Sequence, residues 1–94
     1  MAQLTCEILT PEQEVYTGEI KSITAPGVDG YFGVLNMHAP LITALGEGEL
    51  KVTDASGADH FWKVNGGFLE VLDNRVSVMA RELEAFTKKR TDWN

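Results

Sequence analysis

The sequence predicts an all-β fold, a flattened β-sandwich of eight to ten short strands followed by a short C-terminal tail. Three observations lead there. Apolar residues recur mostly at every second position, which is the strand period. Turn residues interrupt these runs at close, regular spacing, as in sandwiches and barrels. The composition is that of a globular chain: 94 residues, 44% hydrophobic and 9% aromatic, enough for one domain. A chain this size buries only about 60–65% of its unfolded surface, so the core is adequate but not generous.

The elements follow in order. Leu4 to Leu9 alternates, with Leu4, Cys6 and Ile8 on one face. Val15 to Thr24 is a second run, between Thr10-Pro11-Glu12 and Pro26-Gly27. Ile20 and Ile23 break its alternation, which indicates a bulge or a strand buried on both faces. Phe32 to Leu35 and Leu41 to Leu45 are short segments. Leu50 to Thr53 is a strand, and Asp54 to Asp59 reads as a turn-rich loop. His60 to Val64 returns, with His60, Trp62 and Val64 on one face. Asn65-Gly66-Gly67 reads as a turn, Phe68 to Leu72 as a strand, Asp73-Asn74 as a tight turn, and Val76 to Ala80 as the last strand. The expected core is Leu4, Ile8, Ile20, Val52, Trp62, Val64, Leu72, Val76 and Val78.

The sandwich domain is thus expected over residues 1–80 and a tail over 81–94, where Leu83, Phe86 and Trp93 form a loose apolar stripe compatible with one short helix. Fourteen residues make a marginal helix without packing.

Charge and composition narrow the function. Eight Lys and Arg face fourteen Asp and Glu, a formal charge of −6. Nucleic-acid binding needs a cationic footprint, and the short run Lys88-Lys89-Arg90 reads as a solvated tail. The acidity also opposes attachment to an anionic bilayer. No apolar run approaches the length of a spanning helix, so direct membrane insertion is not expected. Residues 1–3 lead straight into a strand pattern without a signal-peptide signature, and the one cysteine, Cys6, excludes an intramolecular disulfide. A cytoplasmic protein fits best, with Cys6 an inert thiol on an apolar strand face.

Catalytic chemistry is not legible. His38 and His60 lie in different elements, and no His or Cys has metal-ligand spacing. Asp59 and His60 are neighbours on a strand and point to opposite faces. Gly27, Gly30 and Gly33 do not match the dinucleotide fingerprint, and tight loops explain them. No catalytic, metal or cofactor residue is therefore assigned. One segment is over-specified: residues 26–35, then His38-Ala39-Pro40-Leu41. Pro26 and Pro40 fix two φ angles and Pro40 restricts Ala39. Two readings stay open: a rigid recognition loop presenting Asp29, Tyr31 and His38, or a stiff connector whose His38 bonds backbone.

At this loop the sequence resembles the N-terminal β-sandwich domain of the epsilon subunit of F-type ATP synthase. The run begins Ile8-Leu9-Thr10-Pro11-Glu12 and Val15-Tyr16-Thr17-Gly18-Glu19. It continues through Pro26-Gly27, Gly30-Tyr31-Phe32-Gly33-Val34-Leu35 and the most specific stretch, His38-Ala39-Pro40-Leu41-Ile42-Thr43-Ala44-Leu45. Gly48-Glu49-Leu50, Asn65-Gly66-Gly67-Phe68-Leu69-Glu70-Val71 and Val76-Ser77-Val78-Met79-Ala80 complete it.

The resemblance implies a non-catalytic central-stalk, or rotor, subunit without a cofactor. It would link the gamma subunit to the polar loops of the membrane c-ring, coupling proton or sodium flow to ATP synthesis. Its place would be the cytoplasmic face of the bacterial inner membrane, as a peripheral subunit of the whole complex. Gamma contacts are expected at Thr10, His38, Ala39, Leu41, Ile42 and Thr43, and c-ring contacts at Asp29, Tyr31 and Phe32. The family usually has an acidic residue at Tyr31, where Asp29 is the candidate substitute, and Pro-Gly at Asn36-Met37. Longer relatives carry two C-terminal helices that brake hydrolysis. Two such helices need segments of about ten residues each plus a loop, more than the tail supplies. The alternative to a stalk subunit is a stand-alone β-sandwich module that binds a small ligand or peptide.

Overall fold

The computed structural model describes residues 3–87. These form six strands: β1 (Thr5–Leu9), β2 (Glu14–Gly27), β3 (Gly30–Leu35), β4 (Leu41–Asp54), β5 (Asp59–Leu72) and β6 (Arg75–Phe86). The sheet order is β1-β6-β5-β4-β2-β3, and β1 also pairs with β2. Five strands therefore close into a ring, β1 pairing with the first part of β2 (14–19) and β3 with the last part (22–27). All pairings are antiparallel except β1 with β6.

The all-β class stands, but the strands number six, not eight to ten. The difference lies in the glycines. Asn65-Gly66-Gly67 is not a turn; it lies inside the 14-residue β5. Gly46 and Gly48 likewise lie inside β4, which joins the two strands expected on either side. Where β2 meets β4 the register shifts near Ile20–Ser22 and again near Thr24–Gly27, the bulging that the broken alternation of Ile20 and Ile23 indicates. Asp73 and Asn74 do form a tight turn, with φ of 51° and 62°, the mirror-image geometry that suits the twist of a hairpin.

β6 continues to Phe86, six residues beyond the expected domain boundary. Leu83 packs against the core and the Phe86 ring lies 5.8 Å from that of Phe61, its partner across the ladder. Both belong to a strand rather than a helix, because β5 offers a paired edge that a short isolated helix lacks. The expected stripe also included Trp93, and Lys88–Arg90 was expected to be tail; both lie outside the described residues.

The core contains Leu4, Cys6, Ile8, Ile20, Ile23, Ala25, Val34, Leu45, Leu50, Val52, Trp62, Val64, Leu69, Val71, Val76, Val78 and Ala80. Each buried Leu, Ile or Val contributes about 1.5–3 kcal/mol relative to exposure. Of the expected core only Leu72 fails; it is half-exposed, and its neighbour Val71 is buried instead. The cause is a change of inward face. Along β5 the even positions Trp62 and Val64 point in before Gly66, and the odd positions Leu69 and Val71 after Gly67. Gly66 and Gly67 have φ of 84° and 124°, a conformation that side chains disfavour. β4 switches over Gly46–Gly48, from Leu45 to Leu50 and Val52, and β6 between Ala80 and Leu83. The ladder is otherwise in register on both sides, so the three strands turn over together at one level.

Candidate functional site

Because the inward face changes, each half of the β4-β5-β6 sheet has its own outer surface. In the first half, register places Ala44, Phe68, Met79 and Leu9 in one row across β4, β5, β6 and β1. Phe68 is 54% exposed and Met79 47%. The next row is Ile42, Glu70, Ser77 and Glu7, with Ile42 69% exposed. A groove of about 490 Å³ runs beside the first row, bounded by Leu9, Thr10 and Pro11 on one side and Phe68, Met79 and Arg81 on the other. Exposed aromatic and sulfur side chains in a continuous strip are the material of protein interfaces.

In the second half the outer rows are Glu47, Asn65 and Glu82, then Glu49, Lys63 and Glu84. They line an acidic groove of about 580 Å³ floored by Gly48, Val64 and Leu83. Asn65 Nδ2 donates to Glu82 at 3.2 Å, and the Lys63 ammonium lies 5.5 Å from the centre of the Phe86 ring.

The residues expected to touch gamma divide among this surface, the inward side of β4 and a turn. Thr10 closes the β1–β2 turn: its N–H donates to the Gln13 carbonyl at 2.9 Å, and its hydroxyl accepts from Gln13 N–H at 3.3 Å. This holds Thr10 and Pro11 at the mouth of the apolar groove. Ile42 lies on the same face. Leu41 and Thr43 take the opposite, inward side of β4, Leu41 packing on the core. His38 and Ala39 lie in the β3–β4 turn, where His38 Nδ1 donates to the Ala39 carbonyl at 2.7 Å. That turn is tied to the Asp73–Asn74 turn: Asn74 Oδ1 accepts from Met37 N–H at 2.7 Å, and Asn74 Nδ2 donates to Asn36 Oδ1 at 2.6 Å. Met37 is held at φ 69°, at a position where glycine is favoured.

The c-ring set lies elsewhere. The over-specified segment is not a loop; most of it is the β2–β3 hairpin, with Asp29 exposed at its tip. Asp29 and His38 flank opposite ends of β3, a strand about 20 Å long. Tyr31 extends across Pro26 and Gly48, and its hydroxyl accepts from the Glu49 N–H at 2.9 Å. Phe32 is half-buried against the core and the backbone of Gly27.

Three titratable groups depart from ordinary behaviour without forming a catalytic set: Cys6, Asp54 and Tyr16, whose hydroxyl is pushed up first by burial. Burial, and then the charge of Glu7, push the Cys6 thiol up to about 12, so the thiolate is disfavoured. Asp54 is held well below the usual carboxylate range, first by the Ser56 hydroxyl at 2.6 Å, then by His60 Nε2 at 2.8 Å and the Ala58 N–H at 3.0 Å. This network closes the β4–β5 turn beside the Tyr16, His60 and Trp62 rings, whose centres are 5.5–6.2 Å apart. Among the described residues no cluster of three His, Cys, Asp or Glu is placed to hold a metal.

Sequence reasoning missed Phe68, Met79 and Arg81. A signal was present: Phe68-Leu69-Glu70-Val71-Leu72 is apolar on both strand faces, and a two-sided apolar strand in a small sheet covers something on each side.

A two-sided sheet of this topology has known relatives. The sequence model described as the ATP synthase delta/epsilon chain β-sandwich domain matches residues 3–86. The chain belongs to this family. An ATP synthase epsilon chain of Helicobacter pylori is 41% identical over 92 residues, covering 98% of this chain and 73% of its own. One from an Anaeromyxobacter species is 46% identical, covering 87% and 61%, and one from Syntrophomonas wolfei is 41% identical, covering 83% and 57%. The chain thus spans between about half and three quarters of the length of these relatives. A chain in the mitochondrial ATP synthase of Euglena gracilis shares the fold with a TM-score of 0.83 at 24% identity, over 90% of this chain and 54% of that one. A chain in the central stalk and c-ring of the Tetrahymena thermophila enzyme does so with a TM-score of 0.72 at 20% identity, over 87% and 66%.

Proposed function

We propose that this epsilon-family chain is a non-catalytic central-stalk subunit of an F-type ATP synthase, joining the gamma subunit to the polar loops of the c-ring. The observation that carries this is the row Ala44, Phe68, Met79 and Leu9, exposed at Phe68 and Met79, with exposed Ile42 beside it and Thr10 at its edge. A strip of this kind is unfavourable in water and favourable once covered, and membership of the family supplies gamma as the cover. Asp29, exposed at the β2–β3 tip, is the charged group offered to the c-ring loops; Tyr31 contributes an exposed ring whose hydroxyl is engaged by the Glu49 N–H. In this reading the subunit works as a peripheral member of the complex on the cytoplasmic side of the bacterial inner membrane. It transmits rotation by rigidity and performs no chemistry.

The test is the affinity of the purified chain for its cognate gamma subunit. Truncating an interface hot spot costs about 2 kcal/mol or more. Phe68→Ser and Ile42→Ala are each expected to weaken gamma binding on that scale with the fold intact by circular dichroism. Unchanged affinity in both variants refutes the placement of gamma on this face.

A further inference from the structure

Arg81 occupies a singular position. It lies beside Gly66, between the ladder pairs Asn65–Glu82 and Gly67–Ala80, at the level where the three strands change their inward face. The missing side chain of Gly66 makes its seat: a Cβ there would come within 2.6 Å of one guanidinium nitrogen and 2.7 Å of the guanidinium carbon. The planar head therefore rests on bare backbone, at the end of the apolar groove whose other walls are Leu9, Thr10, Pro11, Phe68 and Met79. It is the one cation among the described residues that line the groove. Among the described residues no carboxylate lies within ion-pair distance of it, although the chain carries fourteen acidic residues.

A guanidinium fixed on backbone beside an apolar groove is a directional receptor. Its fork fits a carboxylate in two-point geometry, and less ordering remains to be done on binding than for a free side chain. We propose that Arg81 selects the partner at this groove by pairing with a carboxylate of the gamma subunit whose neighbouring apolar side chain enters between Pro11 and Phe68. This rests on the reading that the face seats gamma, and adds to it the chemistry of the segment received: apolar and acidic together. Opposite charge supports that occupant. An acidic chain of net −6 repels an acidic segment everywhere except where a cation is presented.

The experiment measures the affinity of the full chain for its cognate gamma subunit at low and at moderate salt, for wild type, Arg81→Glu, Arg81→Gln and Phe68→Ser. Arg81 is exposed, so its substitutions are expected to leave the circular dichroism spectrum unchanged. The expected result is a loss of about 30-fold for Arg81→Glu at low salt, the scale of an interface hot spot, and a smaller loss for Arg81→Gln. Salt should narrow the gap between wild type and Arg81→Glu. Replacing the partner carboxylate of gamma by lysine should restore binding to Arg81→Glu. If both Arg81 variants stay within about threefold of wild type while Phe68→Ser weakens binding, the face seats gamma without Arg81 and the proposal is overturned. If Phe68→Ser is also neutral, the assignment of the face to gamma fails, and this proposal falls with it.

Discussion

The two outer surfaces of β4, β5 and β6 are made by the same three strands, a few residues apart, and they differ in how much apolar side chain they expose. Below the Gly46–Gly66–Arg81 level the exposed apolar side chains are Ile42, Phe68 and Met79, with Glu70, Ser77 and Glu7 continuing the row of Ile42. Above it the outer rows carry Glu47, Glu49, Glu82 and Glu84 around Lys63. The inner surfaces do not differ in this way: both halves present Leu and Val to one core, with Trp62 and Ala80 beside them. Burial sets the inner faces, and it leaves the outer faces free to diverge. The half with acidic rows suits contact with water, since mutual repulsion and hydration oppose association. The half with the apolar strip is the one that gains by being covered. One sheet thus has a side suited to a permanent neighbour and a side suited to water, with the boundary drawn by glycines.

The largest effect is expected at that boundary. A Cβ on Gly67 would overlap the Met79 carbonyl oxygen and lie 2.9 Å from the Ala80 Cα, at a φ of 124°. Gly67→Val should cost about 4 kcal/mol or more, through backbone strain and clash together. Urea unfolding measures it. A loss below about 1 kcal/mol would show that the strands do not need this glycine to turn over.

The next test contrasts two neighbours. Leu69→Ala removes a fully buried side chain and should lower stability by about 3 kcal/mol, while Phe68→Ser should change it by less than about 0.5 kcal/mol. The same pair should reverse in importance for gamma binding, and equal stability losses would dissolve the distinction between the faces.

A smaller effect is expected in acid at the Asp54 turn. Hydrogen bonds hold the folded-state value of Asp54 below its unfolded value. Its contribution is therefore complete above the unfolded value, about pH 4, and is lost as pH falls below it. Unfolding followed from pH 5 downward should be steeper for wild type than for Asp54→Asn; parallel curves would exclude Asp54 as a source of acid sensitivity.

The smallest lies at the turn carrying His38. Met37 at φ 69° bears the left-handed strain that glycine avoids, offset in part by glycine's greater freedom when unfolded. Met37→Gly should stabilise by about 0.5 kcal/mol, read as a shift in the urea midpoint. A loss would mean that the exposed Met37 side chain contributes packing of its own.

The sequence was sufficient for the class of fold. Alternation of Leu4, Cys6 and Ile8, of Trp62 and Val64, and of Val76 and Val78 requires strands with one buried face, and each of these residues is buried. The family was also legible, since its ordered motifs survive in the linear order of residues. What local pattern could not decide was whether a glycine ends a strand or lets it turn over. Gly66 and Gly67 suit a tight turn and a mid-strand twist equally, because both need only a permissive φ. The neighbours β4 and β6, distant in sequence, choose between them by offering paired edges on both sides. That choice fixes the face on which Leu72 lies, brings Phe68 and Met79 outward beside Thr10, and seats Arg81 on Gly66. A period-two pattern names the apolar positions of each segment, and only closure of the sheet determines which of them face the core.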